Sequence, residues 1–211
     1  MGSRVQEPIS DHHVGQRHLD RMVMLSDGVF AIAITLSAIE IKPETVPGQS
    51  LWQAWSIPLL VYFFSFLIIG IVWMYHRRMV AHLRDIDGVG SAINLVLLCV
   101  VALMPMVNRL VFTDAAHASS ITVFAAMLVV TFILLAVFWG YLAFVAKLAP
   151  DLPRSTASLW LIEMMSPMVG ALAVILYESG YWVALSLVIV VYTVLLLVRA
   201  RAKLRADSSD S

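Results

Sequence analysis

The chain has 211 residues, 61% of them hydrophobic and only 13% charged, with a mean hydropathy of +0.88. Soluble domains carry about 25% charged residues, so this composition describes an integral membrane protein rather than a soluble enzyme or binding module. Formal net charge is zero and no long basic run occurs, which leaves nothing to neutralise a nucleic acid backbone. The single cysteine, Cys99, lies in an apolar run and excludes an intrachain disulfide.

Residues 1–20 are polar and lack the apolar core of a cleaved leader; they read as a cytoplasmic tail, and the first apolar segment is expected to stay in the mature protein. Apolar runs long enough to span a bilayer, about 17 to 25 residues, follow at 22–41, 53–75, 90–112, 119–146, 158–177 and 180–199. They predict an all-α protein with a six-helix domain over 21–200. The intervening stretches "KPETVPGQ", "HRRMVAHLRDIDG", "TDAAHASS", "KLAPDLPRST" and "ESG" hold the expected turn and charge punctuation. Pro58, Pro105 and Pro167 fall inside predicted helices, where neighbouring helices can satisfy the freed backbone groups. Residues 201–211 close the chain as a second tail, and "RARAKLRADSSDS" reads as a basic anchor for anionic lipid followed by a polar end.

Basic residues predict orientation. With the N-terminus inside, the cytoplasmic segments hold Arg4, Arg17, Arg21, Arg77, Arg78, Arg84, Lys147, Arg154, Arg199, Arg201, Lys203 and Arg205, against Lys42 and Arg109 outside. Twelve against two places both termini in the cytoplasm of a multi-pass protein.

The first span, "RMVMLSDGVFAIAITLSAIEI", buries a serine and an aspartate in its opening turns. An aspartate at a helix centre costs about 2.5–3.5 kcal/mol on insertion scales, so Asp27 needs a partner or a purpose. Asp27 lies about 9 Å in from Arg21 at 1.5 Å per residue. The second span returns to the same leaflet at "WMYHRR" and the third starts there, so Ser26, Asp27, Trp73, His76 and Asn94 can converge, with Arg21 at the edge. Two readings are open: a proton relay or ion ligand built on Asp27 and His76, or a clamp in which Asp-His and Trp-Asn contacts fix helix register. At 100° per residue, Leu36 and Ile39 fall within about 40° of Ile32, Thr35 and Gly28 border that stripe, and Asp27 points about 140° away. This geometry favours the clamp.

An Ile and Leu stripe at this spacing is ordinarily packing, and the small residues Gly28, Ala31, Ala33, Ser37 and Ala38 are common in membrane bundles. The chain contains no Ser-His pair, paired carboxylates or HExxH at catalytic spacing, so it is not expected to be an enzyme, and neither a cofactor nor a bound metal is expected. His12, His13 and His18 could hold a metal only weakly, and on a polar tail they read as residues with no such role.

The stretch "RMVMLSDGVFAIAITL" resembles the signature of the transmembrane protein 175 family of endolysosomal and prokaryotic potassium channels, Arg-x-x-x-Phe-Ser-Asp followed by Gly-Val-Phe-Ala-Ile-Ala-Ile-Thr-Leu. "SFLIIGIVWMYHRRM" and "INLVLLCVVALMP" are similar to its second and third helices; Leu25 departs from the pattern, standing where the family has Phe. The resemblance covers residues 20–112 strongly and the remainder by hydropathy. It implies the prokaryotic single-repeat type: six helices per subunit, a homotetramer with a central pore lined by helix 1, and a location in the cell membrane of a prokaryote. Ile32, Leu36 and Ile39 match the family's apolar constriction and Thr35 its hydroxyl layer, while Arg21, Ser26, Asp27, Trp73, His76 and Asn94 match its interhelical polar network.

The function so implied is a cation channel with a modest preference for potassium over sodium, working without a "TVGYG" carbonyl filter. Glu40 reads either as an outer-mouth charge that concentrates cations or as a solvated helix-end residue. The alternative is a proton-coupled secondary transporter, for which Asp27, His76 and Glu163 would be ingredients. Glu163, about one turn into the fifth span, either reaches the interface or pairs with Arg154.

Overall fold

The structure, a computed structural model, describes residues 11–39, 47–48, 50–113 and 118–209. Every regular element among them is helical: α1 (Asp11–Ile39), α2 (Leu51–Val80), α3 (Gly88–Thr113), α4 (Ala118–Gly140), a π-helical segment (Tyr141–Val145), α5 (Arg154–Glu178) and α6 (Trp182–Ser209). Gly15–Ile39, Leu51–Val80, Gly88–Leu110, Ser120–Val145 and Arg154–Glu178 are long and apolar enough to cross a membrane, and α6 holds a shorter apolar stretch, Trp182–Val194. The protein is therefore a multi-pass membrane protein.

Local chemistry explains the helix ends. Ser50 caps α2 by accepting from the Gln53 N–H at 3.3 Å, while Gln53 Oε1 accepts from the Ser50 N–H at 2.9 Å, a reciprocal box that satisfies two otherwise orphaned donors. Gly180, at φ +73°, makes the tight reversal between α5 and α6, a backbone conformation that a side chain would strain. The 30 residues of α2 extend about 45 Å, beyond a hydrocarbon core about 30 Å thick, so its last turn with Arg77 and Arg78 leaves the apolar layer.

The helices α1, α2 and α3 pack mutually, α3 joins α4, and α4, α5 and α6 follow in series. Their shared core is aromatic-rich, with Ile69, Val72, Leu97, Leu135, Phe138 and Trp139 fully buried. Trp139 meets the usual requirement for a buried indole by donating to the Ala157 carbonyl at 3.0 Å, which ties α4 to the start of α5.

At the basic end the connections lock together. Arg84 forms a two-pronged pair with Asp151 at 2.8–3.0 Å and donates its N–H to the Leu148 carbonyl at 3.2 Å. Asp87 accepts from the Gly90 N–H at 2.8 Å, capping α3, and its other oxygen accepts from the Tyr141 hydroxyl.

Three boundaries differ from the sequence expectation. Helix α1 begins at Asp11, inside the stretch read as a tail, because Leu19 and Met22 are buried and carry the helix onward along the α2–α3 connection. Gly15 lies so close to Asp85 that a Cβ there would come within 2.4 Å of the carboxylate. The fourth helix does not stay α-helical to 146: the Ala146 N–H bonds the Tyr141 carbonyl at 2.8 Å, five residues back, which makes the last turn a π-segment beside the Tyr141–Asp87 contact. Helix α6 continues to Ser209 through "RARAKLRADSS", whose Ala, Arg, Lys and Leu are strong helix formers.

Candidate functional site

The polar residues singled out in the sequence meet at the basic end of the α1–α2–α3 unit, in pairings other than those expected. Trp73 Nε1 donates to Asp27 Oδ1 at 2.8 Å, and His76 Nε2 bonds Asn94 Oδ1 at 2.8 Å. The expected Asp-His and Trp-Asn contacts are thus exchanged for Asp27–Trp73 and His76–Asn94. The cause is the rotation of the helices: Ser26, His76 and Asn94 point into the core at 0–1% exposure, whereas Asp27 sits on the exposed edge of α1 beside half-buried Trp73. Arg21 is exposed and has no hydrogen bond or ion pair among the described residues.

The buried branch is a directed chain. Asn94 Nδ2 donates to Ser26 Oγ at 3.0 Å, and Ser26 Oγ donates to the Met22 carbonyl at 2.8 Å. With its amide nitrogen committed, Asn94 presents oxygen to the imidazole, so His76 carries its proton on Nε2. Phe138 stacks on the ring at 5.6 Å between centroids and Phe30 tilts against it at 5.5 Å, holding the imidazole in one orientation.

A second polar layer, which the sequence reading missed, lies farther along the same helices. Ser37 Oγ and Ser65 Oγ are 2.8 Å apart, and Asn108 Nδ2 donates to Ser65 Oγ at 2.7 Å; all three residues are buried. Ser37 Oγ also lies 3.2 Å from the Ala33 carbonyl. Ser37 follows Ser26 by eleven residues and Ser65 precedes His76 by eleven, each a rotation of about 20°, while Asn108 follows Asn94 by fourteen, about 40°. Those spacings are the signal that would have found it. The layers are about 16 Å apart along α1, and each contributes one polar side chain from each of three helices.

Pinned on that side, α1 turns its opposite face outward. Ile32 is 58% exposed, Leu36 40% and Ile39 68%, and Thr35 is exposed beside them. The Thr35 hydroxyl lies 3.0 Å from both the Ala31 and Ile32 carbonyls, so its proton is committed to the backbone and its oxygen remains available as an acceptor. Leu25 is also half exposed. Glu40 lies outside the described residues. Glu163 pairs neither with Arg154 nor with the polar network: Arg78 Nη1 bonds it at 2.7 Å, and the Arg78 guanidinium lies 4.0 Å over the Trp160 ring.

The sequence and fold have known counterparts. The sequence profile of the family described as "Endosomal/lysosomal potassium channel TMEM175" matches residues 21–105, which span both members of every pair in the basic-end layer. A crystal structure of a lysosomal potassium-selective channel TMEM175 homologue from Chamaesiphon minutus superposes with a TM-score of 0.67 at 25% identity, over 87% of this chain and 99% of that one. Over residues 21–105, and in the fold of most of its length, the chain is similar to the TMEM175 family. A protein named as a potassium channel in Streptomyces collinus is 32% identical over 130 residues, which are 58% of this chain and 63% of that protein. One so named in a Chryseobacterium is 35% identical over 97 residues, 44% of this chain and 49% of the other. The mouse protein named endosomal/lysosomal proton channel TMEM175 is 28% identical over 99 residues, 41% of this chain and 20% of its own length. The match thus spans between half and two thirds of the bacterial relatives and a fifth of the mouse one.

Proposed function

We propose that this chain is one of four identical subunits of a cation channel in the cell membrane of a prokaryote, with α1 of each copy lining a central pore and potassium preferred modestly over sodium. The observation that carries this reading is the asymmetry of α1. One face is bonded to α2 and α3 through two buried polar layers, and the other leaves Ile32, Leu36 and Ile39 at 40–68% exposure among the described residues.

Four Ile32 side chains about an axis form a collar that excludes a hydrated ion and conducts only when wetted, as apolar constrictions do. One turn on, four Thr35 oxygens, their protons committed to backbone carbonyls, offer lone pairs to a partly dehydrated cation. Potassium gives up water more cheaply than sodium, which sets the direction of the preference. The relatives named potassium channels support the substrate, and the excess of basic residues at one end of the bundle supports cytoplasmic termini. No covalent chemistry and no cofactor enters this scheme.

The carrier reading drew on Glu163 as an intramembrane carboxylate. Its ion pair with Arg78 gives it a structural role, so no observation now favours that reading. The test is Ile32→Asn in reconstituted protein, which should raise conductance and lower the potassium-to-sodium permeability ratio; wild-type values of both would remove Ile32 from the conduction path.

A further inference from the structure

At the basic end of α2, two neighbouring guanidiniums are held in place by aromatic rings, one on α2 itself and one on α5. Arg77 lies 5.3 Å over Trp73, and Arg78 lies 4.0 Å over Trp160 while bonding Glu163 through Nη1. Between them opens a cavity of about 250 Å³ lined by Met74, Arg77, Arg78, Ala81 and His82, with no carboxylate in its wall. Met74 and Arg78 also line an adjoining trough of about 350 Å³ that continues past Tyr75 to Ile71, back into the apolar span of α2. The one carboxylate of the trough, Glu163, is already neutralised by Arg78.

We propose that this composite groove binds one anionic phospholipid per subunit, its phosphodiester between Arg77 and Arg78 in the basic cavity and an acyl chain along Met74 and Ile71. Charge and shape both point to that occupant. A phosphodiester matches two guanidinium groups, and Arg78 retains N–H donors beyond the one given to Glu163. A free anion would satisfy the cavity and leave the trough unused: Met74 is 57% exposed and Ile71 39%, at a height where the surrounding phase is hydrocarbon. A zwitterionic lipid fills the trough equally well but gains less from the guanidiniums, so selectivity resides in the head group and baseline affinity in the chain. Arg77 also borders a separate cavity that holds Asp20 and Asp27 of α1, but neither lining of the groove includes Ile32, Thr35, Leu36 or Ile39, so the site stands whether or not the chain conducts ions.

The test is native mass spectrometry of the full-length protein in detergent, titrated with phosphatidylglycerol or with phosphatidylcholine of the same chains, and with glycerol phosphate as a soluble competitor. Wild type should hold one phosphatidylglycerol per subunit about five- to tenfold more tightly than phosphatidylcholine. Arg77→Gln should abolish that preference while leaving phosphatidylcholine binding intact, which also reports that the variant is folded. Ile71→Ser should weaken both lipids alike. Arg84→Gln, a basic residue engaged with Asp151 instead, should preserve the preference. Equal binding of the two lipids by wild type, or an unchanged preference in Arg77→Gln, overturns the proposal. Displacement of phosphatidylglycerol by glycerol phosphate at equal concentration assigns the cavity to a soluble anion and overturns it as well.

Discussion

Replacing Asn94 by Leu removes two interhelical hydrogen bonds while keeping the branching and heavy-atom count of the side chain. The lost partners are His76 Nε2, at 2.8 Å, and Ser26 Oγ, at 3.0 Å, both on residues at most 1% exposed. Interhelical hydrogen bonds in membrane proteins average about 0.6 kcal/mol each, and a buried donor left without an acceptor costs about 1–3 kcal/mol. Ser26 keeps the Met22 carbonyl, so the orphaned donor is the His76 N–H. The sum is about 2–4 kcal/mol of destabilisation. His76→Phe should cost about 1–3 kcal/mol, because Asn94 Oδ1 then loses its donor, although a phenyl ring fits between Phe30 and Phe138. The double variant replaces both partners with apolar groups of matching shape and should cost only about 1–2 kcal/mol. Equilibrium unfolding in mixed micelles of the four proteins measures the cycle, and the expected coupling is at least about 1 kcal/mol. Single effects that add to within about 0.5 kcal/mol would show that the two side chains act independently and refute the directed chain.

The second layer makes its own prediction: Ser65→Ala breaks the bonds to Ser37 and Asn108 and should lower stability by about 1–3 kcal/mol in the same assay, with Ser65→Thr recovering part of it. Gly15→Ala should displace the Asp85 carboxylate and free the Ile86 N–H that it now accepts at 2.6 Å, at a cost under about 1 kcal/mol because a flexible side chain yields; faster hydrogen exchange at Ile86, abolished when Asp85→Ala is made in the background, reports it. Asp27→Asn keeps an acceptor for Trp73 Nε1 at 2.8 Å and loses only the charge assistance, so stability should fall by about 1 kcal/mol with ion preference unchanged; a changed permeability ratio would place Asp27 in the conduction path.

Polar residues in apolar spans were legible in the sequence because each is costly there, and Ser26, Asp27, His76 and Asn94 stood out on that ground. Their pairing was not, since the expense of a buried group says that it has a partner without fixing the rotation that selects which one: Trp73 reaches Asp27 on the helix edge while Asn94 reaches His76 inside. The second layer escaped because serine is cheap in a membrane helix: Ser37 read as a small packing residue, and Ser65 and Asn108 were not singled out. For Glu163, sequence proximity suggested Arg154, whereas packing of α2 on the far side supplied Arg78, 85 residues away. The six helices, five of them long and apolar enough to cross a membrane, followed from hydropathy alone. The extension of α1 back to Asp11 did not, because it rests on a tertiary contact at Gly15 that leaves no periodic trace.

The most direct test is recording from purified protein in a planar bilayer with potassium on one side and sodium on the other. The proposed pore predicts unitary current steps with a reversal potential displaced toward the potassium equilibrium value by a modest amount. Absence of unitary steps, with saturable and exchange-type flux in their place, would contradict it.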